Sequence, residues 1–212
     1  MNHRPTPKVY EELGLKQVIC AANAVTVLGG STFPPHILAA IEEANQVYVN
    51  MQELLDKSGQ AIADLVGAEA AFMTSGCAAA VALSAAGMMT GTDRDRIGRL
   101  PDTTGFKNEF LIQSGMRHHY ERCVEASGAR LKQVGNEDGT TADQIISAIG
   151  PDTLGIAYAA HLEGTEGTLP LPEVVSVAKD TGLYVLVDAS YQLYPLERTT
   201  ELVQSGADLV CF

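Results

Sequence analysis

The sequence predicts an α/β fold with a mostly parallel sheet and flanking helices, and two features lead to this prediction. From about residue 70 onward, short runs of β-forming residues alternate with helical stretches. The helical stretches have the length that a crossover between two parallel strands requires. We therefore expect right-handed βαβ units over most of the 212 residues, which are enough for one large core.

The individual elements follow from apolar periodicity and from helix start and stop signals. The predicted strands are residues 70–74, 109–113, 130–134, 154–160, 183–187 and 208–212. The predicted helices are residues 36–45, 51–66, 77–89, 120–127, 142–149 and 171–180. Residues 8–20 are expected to be a short lead-in, 21–31 a loop or extended arm, and 91–107 a long polar loop.

Composition limits the class of protein. The net charge of −12 disfavours binding to nucleic acids and to anionic membranes. We find no apolar run long enough for a membrane helix and no signal peptide at the start. Four widely spaced cysteines without a CxxC pair argue against a disulfide framework or a zinc site, and they favour a reducing cytoplasm.

Small residues between a predicted strand and a helix form a candidate anion-binding loop. Ser75, Gly76 and Cys77 allow the backbone to approach an anion, and free N–H groups at the helix start point toward it. The alternative is a tight turn in which Ser75 only caps the helix. The single glycine makes a dinucleotide-binding fingerprint a weak interpretation.

Asp188 ends the apolar run of residues 183–187 and is the second candidate. A carboxylate at the tip of a buried strand is costly to desolvate unless a cation meets it, and a protonated pyridine ring is such a cation. Enzymes that use pyridoxal phosphate hold the ring nitrogen with Asp and the aldehyde with Lys. No Lys follows Asp188 here. A capped turn and a metal ligand are the alternatives, and metal is the weaker one because no second ligand lies nearby in sequence. We expect the strands before Ser75 and Asp188 to end at the same sheet edge.

Two further polar groups follow predicted strands. Arg117 can pair with a phosphate or carboxylate, and an imidazole can stack on a flat ring or move a proton. His118 and His119 are adjacent and point in different directions, so at most one of them faces a site, and both can equally be surface residues. His161 reaches the same rim as Asp188 if their strands are neighbours, although a glycine-rich loop explains that segment almost as well.

Taken in order, these segments resemble a known family. The arm ends in Leu28-Gly29-Gly30-Ser31, Gly67-Ala68-Glu69-Ala70-Ala71 leads into Thr74-Ser75-Gly76, and Asp188 through Gln192 precede Ser205-Gly206-Ala207-Asp208 near the end. This resembles the fold-type-I pyridoxal-phosphate enzymes related to selenocysteine synthase (L-seryl-tRNA(Sec) selenium transferase). Within them it is more similar to the D-glucosaminate-6-phosphate ammonia-lyase-like branch. The resemblance covers nearly the whole chain.

The resemblance implies roles for single residues. Ser75, Gly76 and Cys77 would hold the phosphate of pyridoxal 5′-phosphate, Asp188 its ring nitrogen and Gln192 its ring hydroxyl, with His118 or His119 stacked on the ring. His161 is a candidate for proton transfer. The Schiff-base Lys is expected just after Phe212, so that the chain as given lacks it and is expected to be inactive. No metal site is implied.

The resemblance also implies an organisation and partners. Residues 1–50 would be an N-terminal arm and helix, and residues 51–212 a partial cofactor-binding major domain, with the C-terminal small domain absent. Asn23, Thr26 and Ser31 of the arm and Arg117 would contact a small amino substrate. We expect a cytoplasmic homodimer or higher homo-oligomer with the arm at the two-fold interface, and no binding to tRNA or a membrane.

The implied reaction is a lyase reaction on an amino acid or amino-sugar acid, by α,β-elimination or loss of ammonia. A transferase of the selenium transferase or aminotransferase kind is the alternative among enzymes. A catalytically inactive cofactor-binding or scaffold protein is the alternative outside them, because fold similarity alone does not determine a reaction.

Overall fold

The protein, for which we have a computed structural model describing residues 6–21 and 25–212, divides into two compact units. The first unit runs to Tyr48 and the second from Val49 to Phe212. The described part of the first unit contains helices α1 (Lys8–Glu12) and α2 (Pro35–Ala44) and a 3₁₀ turn at Thr26–Leu28. Helix α2 starts at Pro35, because proline lacks only an N–H that the first helical turn does not use.

A five-stranded parallel sheet forms the centre of the second unit, in the order β2-β1-β3-β4-β5. Its strands are β1 (Glu109–Gln113), β2 (Arg130–Val134), β3 (Thr153–Ala159), β4 (Tyr184–Asp188) and β5 (Leu209–Cys211). The predicted bounds of β1 and β2 are confirmed, and those of the other three strands differ by one residue at each end. The predicted α/β class with a parallel sheet is therefore confirmed.

Seven helices of the second unit surround this sheet. They are α3 (Met51–Val66), α4 (Cys77–Thr90), α5 (Arg94–Arg99), α6 (Arg122–Glu125), α7 (Ala142–Ala148), α8 (Leu171–Thr181) and α9 (Leu196–Val203). Local signals account for several ends. The Asn50 side chain accepts a hydrogen bond from the Glu53 N–H at 3.1 Å to begin α3, and Gly67 ends it with a φ of 74°. Helix α7 begins with a capping box between Thr141 and Gln144.

The core has two halves, one on each face of the sheet. Val81 of α4 packs with Phe110 and Leu186 on one face. Val174 of α8 packs with Val185 on the other face. Strands covered on both faces read as continuous apolar runs rather than as an alternation, as 183–187 does. Among the helices of the described residues, none combines the length and apolar character needed to cross a bilayer.

Two sequence predictions about elements are wrong, and one helix was not predicted. Residues 70–74 form no strand: no described strand pairs with them, and Phe72 and Met73 are exposed. A run of β-forming residues remains irregular without a hydrogen-bonded neighbour. The predicted long loop 91–107 contains helix α5, whose first N–H groups are bound by the Asp93 side chain. Helix α9 was not predicted, although its few apolar residues lie on one face, because it is short, contains two adjacent threonines and has no side-chain cap at its start.

Candidate functional site

The candidate site lies at the carboxyl ends of the parallel strands, on the face covered by α4 and α6. A small cavity there has an apolar floor that includes Val81 and Leu186 and a polar rim that includes His118, Glu121 and Asp188. Because β1, β3 and β4 run parallel, residues that follow each of them reach the same edge. Ligands of open α/β sheets bind at this edge.

Asp188 is the last residue of β4, and its two carboxylate oxygens differ in their partners. Oδ1 accepts hydrogen bonds from the Ser190 N–H at 3.0 Å and from the Ser190 hydroxyl at 2.7 Å. The Cys77 thiol also lies 3.5 Å from Oδ1. Among the described residues, Oδ2 has no hydrogen-bond donor. The described part of the protein thus holds one oxygen and leaves the other without a donor.

The loop before α4 reaches the same place, although no strand precedes it. Gly76, with a φ of 141°, is the residue before the helix, and no side chain caps the helix start. The alternative in which Ser75 caps the helix is therefore not what the structure shows. Thr74 stabilises the loop, because its hydroxyl donates a hydrogen bond to the Gly76 carbonyl at 2.9 Å. The expected strand at Thr74 is wrong, yet Cys77 and Asp188 do come together.

The Cys77 thiol points into the interior of this site. It lies 3.3 Å from the Cys211 carbonyl oxygen as well as near Asp188. Burial, followed by the negative charge of Asp188, raises the pKa of the Cys77 thiol well above its ordinary value. The thiol is consequently neutral and acts as a hydrogen-bond donor.

His118, at the rim of the cavity, packs against a second histidine. The rings of His118 and His161 form an edge-to-face pair with centroids 4.8 Å apart and an interplanar angle of 87°. Nδ1 of His118 is buried and has no hydrogen-bond partner within residues 6–21 and 25–212. Burial is the main cause that lowers the pKa of His118 below its ordinary value, and the neighbouring His161 is the second cause. The His118 ring is therefore neutral at pH 7. His119 is exposed and its ring lies 4.0 Å from that of Tyr120, outside the cavity rim.

Arg117 is engaged within its own turn. Its Nε lies 2.9 and 2.7 Å from the two carboxylate oxygens of Glu121, and a terminal nitrogen of the guanidinium contacts the same group. The Glu121 carboxylate also accepts from the backbone N–H of His118 at 3.1 Å. Hydrogen bonding from Arg117 lowers the pKa of the Glu121 carboxyl group. This pair holds the turn from which the His118 ring extends.

The segment after β3 is fixed by residues that sequence reasoning did not select. The Tyr158 hydroxyl donates to Glu163 at 3.0 Å, and the Arg198 guanidinium pairs with the other carboxylate oxygen of Glu163. The buried Gln113 side chain binds both peptide groups of Leu169, accepting from its N–H at 2.6 Å and donating to its carbonyl at 3.2 Å. These partners are 35 and 56 residues apart in sequence, and no local motif marks them.

The other predicted site residues are placed as follows. Gln192 is half-buried in the turn after β4, where its N–H donates to the Ala189 carbonyl at 2.9 Å. Tyr191 in this turn has a φ of 76°, which is unusual for a residue other than glycine. Thr26 and Ser31 are exposed in the first unit, and Asn23 lies outside the described residues. Within the described ranges, no group of three or more His, Cys, Asp or Glu side chains is arranged to hold a metal.

Comparisons with known proteins identify relatives over nearly the whole chain. D-glucosaminate-6-phosphate ammonia lyase of Salmonella typhimurium is 32% identical over 212 residues, which are 98% of this chain and 56% of the relative. The 5′-C-glycyluridine monooxygenase-decarboxylase of a Streptomyces species is 31% identical, with 96% and 52% covered. L-seryl-tRNA(Sec) selenium transferase of Hyphomonas neptunium is 29% identical, with 92% and 46% covered. No protein-family model matches the chain.

Solved structures agree with these relatives. The structure of D-glucosaminate-6-phosphate ammonia-lyase superposes with a TM-score of 0.89 at 32% identity, covering 97% of this chain and 56% of that one. The complex of SepCysS with the SepCysE N-terminal domain gives a TM-score of 0.60 at 15% identity over 96% of this chain and 54% of that one, which shows a shared fold. The chain thus spans about half the length of the relatives that it matches.

Proposed function

Because the chain belongs to the fold-type-I family that includes D-glucosaminate-6-phosphate ammonia lyase and L-seryl-tRNA(Sec) selenium transferase, we propose that its site holds pyridoxal 5′-phosphate and that the whole protein is a lyase. A single observation carries this proposal. Oδ2 of Asp188 has no hydrogen-bond donor in the part of the chain that the structure describes, and it lies at a cavity rim that also contains the neutral, half-buried imidazole of His118.

The residues present fit this cofactor. Oδ2 of Asp188 has no donor among the described residues, and a protonated ring nitrogen supplies one. The His118 ring offers a flat, uncharged surface beside Asp188. The start of α4 has no side-chain cap, so Ser75 and Gly76 together with the first backbone N–H groups of the helix are suited to the phosphate. Gln192 would serve the ring hydroxyl.

When bound, the cofactor supplies an electron sink for charge that develops at the α-carbon of an amino substrate. The protein residues prepare the site for it. The Asp188 carboxylate favours the protonated ring nitrogen, because an opposite charge at hydrogen-bond distance stabilises the charged form. With the cofactor bound, the half-buried His118 would shield one side of the cavity from water, and the exposed His161 is the imidazole that would accept or deliver a substrate proton.

The proposed substrate is a small amino acid or amino-sugar acid that loses ammonia or a β-substituent. Similarity to an ammonia lyase at 32% identity supports this, and the net charge of −12 argues against tRNA. We also propose a cytoplasmic homodimer with the arm at its interface, where Asn23, Thr26 and Ser31 would meet substrate. The small, uncharged residues of positions 21–31 suit close approach. For Arg117 to bind the substrate, its guanidinium would have to release Glu121 and pair with the substrate instead.

The cofactor proposal is tested by calorimetric titration of the 212-residue chain with pyridoxine 5′-phosphate, whose alcohol cannot condense with surface lysines. We expect saturable binding that Asp188→Asn weakens by about 10- to 100-fold, because a charged hydrogen bond is lost. Asp180→Asn, which removes an exposed carboxylate from α8, is the matched control and leaves the affinity unchanged. Equal affinity in the wild type and in Asp188→Asn would contradict the role of Asp188.

The reaction is tested on a chain extended through the lysine expected after Phe212. Ammonia release is measured with phosphorylated amino-sugar acids and with simple amino acids as separate substrates. We expect release from at least one class and a loss of release in Asp188→Asn at unchanged stability. A cofactor-loaded extended chain that releases no ammonia from either class, and instead transfers the amino group to a keto acid, would replace the lyase with the transferase alternative.

A further inference from the structure

Cys77 occupies the anion-binding loop, but its side chain faces the other end of the site. Its thiol lies 3.5 Å from Oδ1 of Asp188 and 3.3 Å from the Cys211 carbonyl oxygen, 111 and 134 residues away in sequence. A side chain in contact with Asp188 is not available to a phosphate at the start of α4. Only the backbone of Cys77 remains for the phosphate.

The thiol is one of three donors that gather on a single carboxylate oxygen. The Ser190 N–H and hydroxyl are the other two, at 3.0 and 2.7 Å from Oδ1. The neutral thiol can donate but carries no charge that would compete for the carboxylate. The Cys211 carbonyl already accepts from the Ala189 N–H at 2.7 Å, so the carboxylate is the stronger remaining acceptor for the thiol hydrogen. The carboxylate is therefore oriented with Oδ1 inward and Oδ2 free.

We propose that Cys77 is a positioning residue that acts on the nitrogen end of the cofactor ring through Asp188, and that its side chain is not a phosphate ligand. This inference rests on the proposed cofactor site. Binding affinities can distinguish the two roles. A phosphate ligand strengthens the binding of every phosphorylated ring, whereas a partner of Asp188 strengthens only the binding of rings that carry the nitrogen.

The experiment compares two ligands on the 212-residue chain by calorimetry. One is pyridoxine 5′-phosphate, and the other is its deaza analogue, in which a C–H group replaces the ring nitrogen. We expect Cys77→Ala to weaken pyridoxine phosphate about fivefold, the loss typical of one weak hydrogen bond, and to leave the deaza analogue unchanged. Cys77→Ser keeps a donor of similar size and should retain most of the affinity for pyridoxine phosphate.

Two controls bracket this result. Cys123→Ala removes a half-buried thiol that makes no hydrogen bond to Asp188 among the described residues, and both affinities should stay unchanged. Ser75→Ala should weaken both ligands equally, as a phosphate-loop residue does. If Cys77→Ala does not fold, Cys77→Ser still decides: equal weakening of both ligands in the serine variant would overturn the inference.

The possible failures are distinguishable. Equal losses for the two ligands in Cys77→Ala would assign the thiol to the phosphate and overturn the positioning role. No loss for either ligand would overturn it as well. If the unaltered chain binds neither ligand, the proposed cofactor site itself is overturned, and the role of Cys77 with it.

Discussion

Replacing Gln113 with leucine should loosen the segment that follows β3. Gln113 is the last residue of β1 and is 1% exposed. Its side-chain amide binds the N–H and the carbonyl of Leu169, as a neighbouring strand would. The same segment carries Glu163, the partner of Tyr158 and Arg198, and begins at His161, whose ring packs against that of the rim residue His118. Gln113 thereby connects the end of β1 to a loop that borders the candidate site.

The expected cost follows from the two hydrogen bonds. Leucine has a similar volume but can neither donate nor accept, so both peptide groups of Leu169 lose their partner in a partly buried setting. Each unsatisfied group costs roughly 1–3 kcal/mol, and the added apolar contact of leucine offsets a part of this. We therefore expect the free energy of unfolding to fall by about 2–4 kcal/mol.

Urea unfolding measures the change in free energy, and amide hydrogen exchange locates it. The Leu169 amide should exchange about a hundredfold faster in Gln113→Leu than in the wild type, because its acceptor is gone. The Thr140 amide, which donates to the Gly167 carbonyl at 2.8 Å, should also exchange faster because it is anchored to the same segment. The exchange rates of amides in β4 should rise only as far as the fall in the free energy of global unfolding requires.

Gln60→Leu is the matched control, because Gln60 is exposed on α3 and its side chain donates to Asp64 of the same helix. This substitution should change the free energy of unfolding by less than about 0.5 kcal/mol. If Gln113→Leu costs no more than the control and leaves Leu169 protected, the loop does not depend on this amide, and our account of the segment is wrong.

Further outcomes follow from the site and its neighbours. The pKa of His118 is lower in the folded protein than its ordinary value of 6.5, so the unfolded chain takes up the proton first as the pH falls. The free energy of unfolding should therefore decline from about pH 7 to pH 5, and His118→Gln should make this decline shallower. Because burial raises the pKa of the Cys77 thiol, iodoacetamide at neutral pH should alkylate the exposed Cys20 before Cys77, as peptide mapping would show; the reverse order would contradict the burial of Cys77. Gly139→Ala should lower stability by at least about 2 kcal/mol in urea unfolding, because its Cβ would lie 2.6 Å from the Gly167 backbone; a neutral effect would mean that this contact relaxes freely.

The sequence alone determined the parallel α/β class and the position of Asp188 at a strand end. These features are local: apolar runs buried on both sheet faces are continuous, and helix ends carry their own signals, such as Asn50 and Gly67 at α3. For this reason the bounds of α3, β1 and β2 were predicted correctly. The local sequence is therefore enough to identify a carboxylate after such a strand as a candidate site residue.

Tertiary structure alone decided which side chains meet. That His118 rather than His119 reaches the cavity rim depends on the turn held by Arg117 and Glu121, which the sequence does not display. Residues 70–74 have a strand-like composition but no hydrogen-bonded neighbour, and strand formation requires that neighbour. The Cys77 thiol contacts Asp188, which is 111 residues away in sequence. The crossover connections of the parallel sheet, and not sequence spacing, bring the start of α4 to the end of β4.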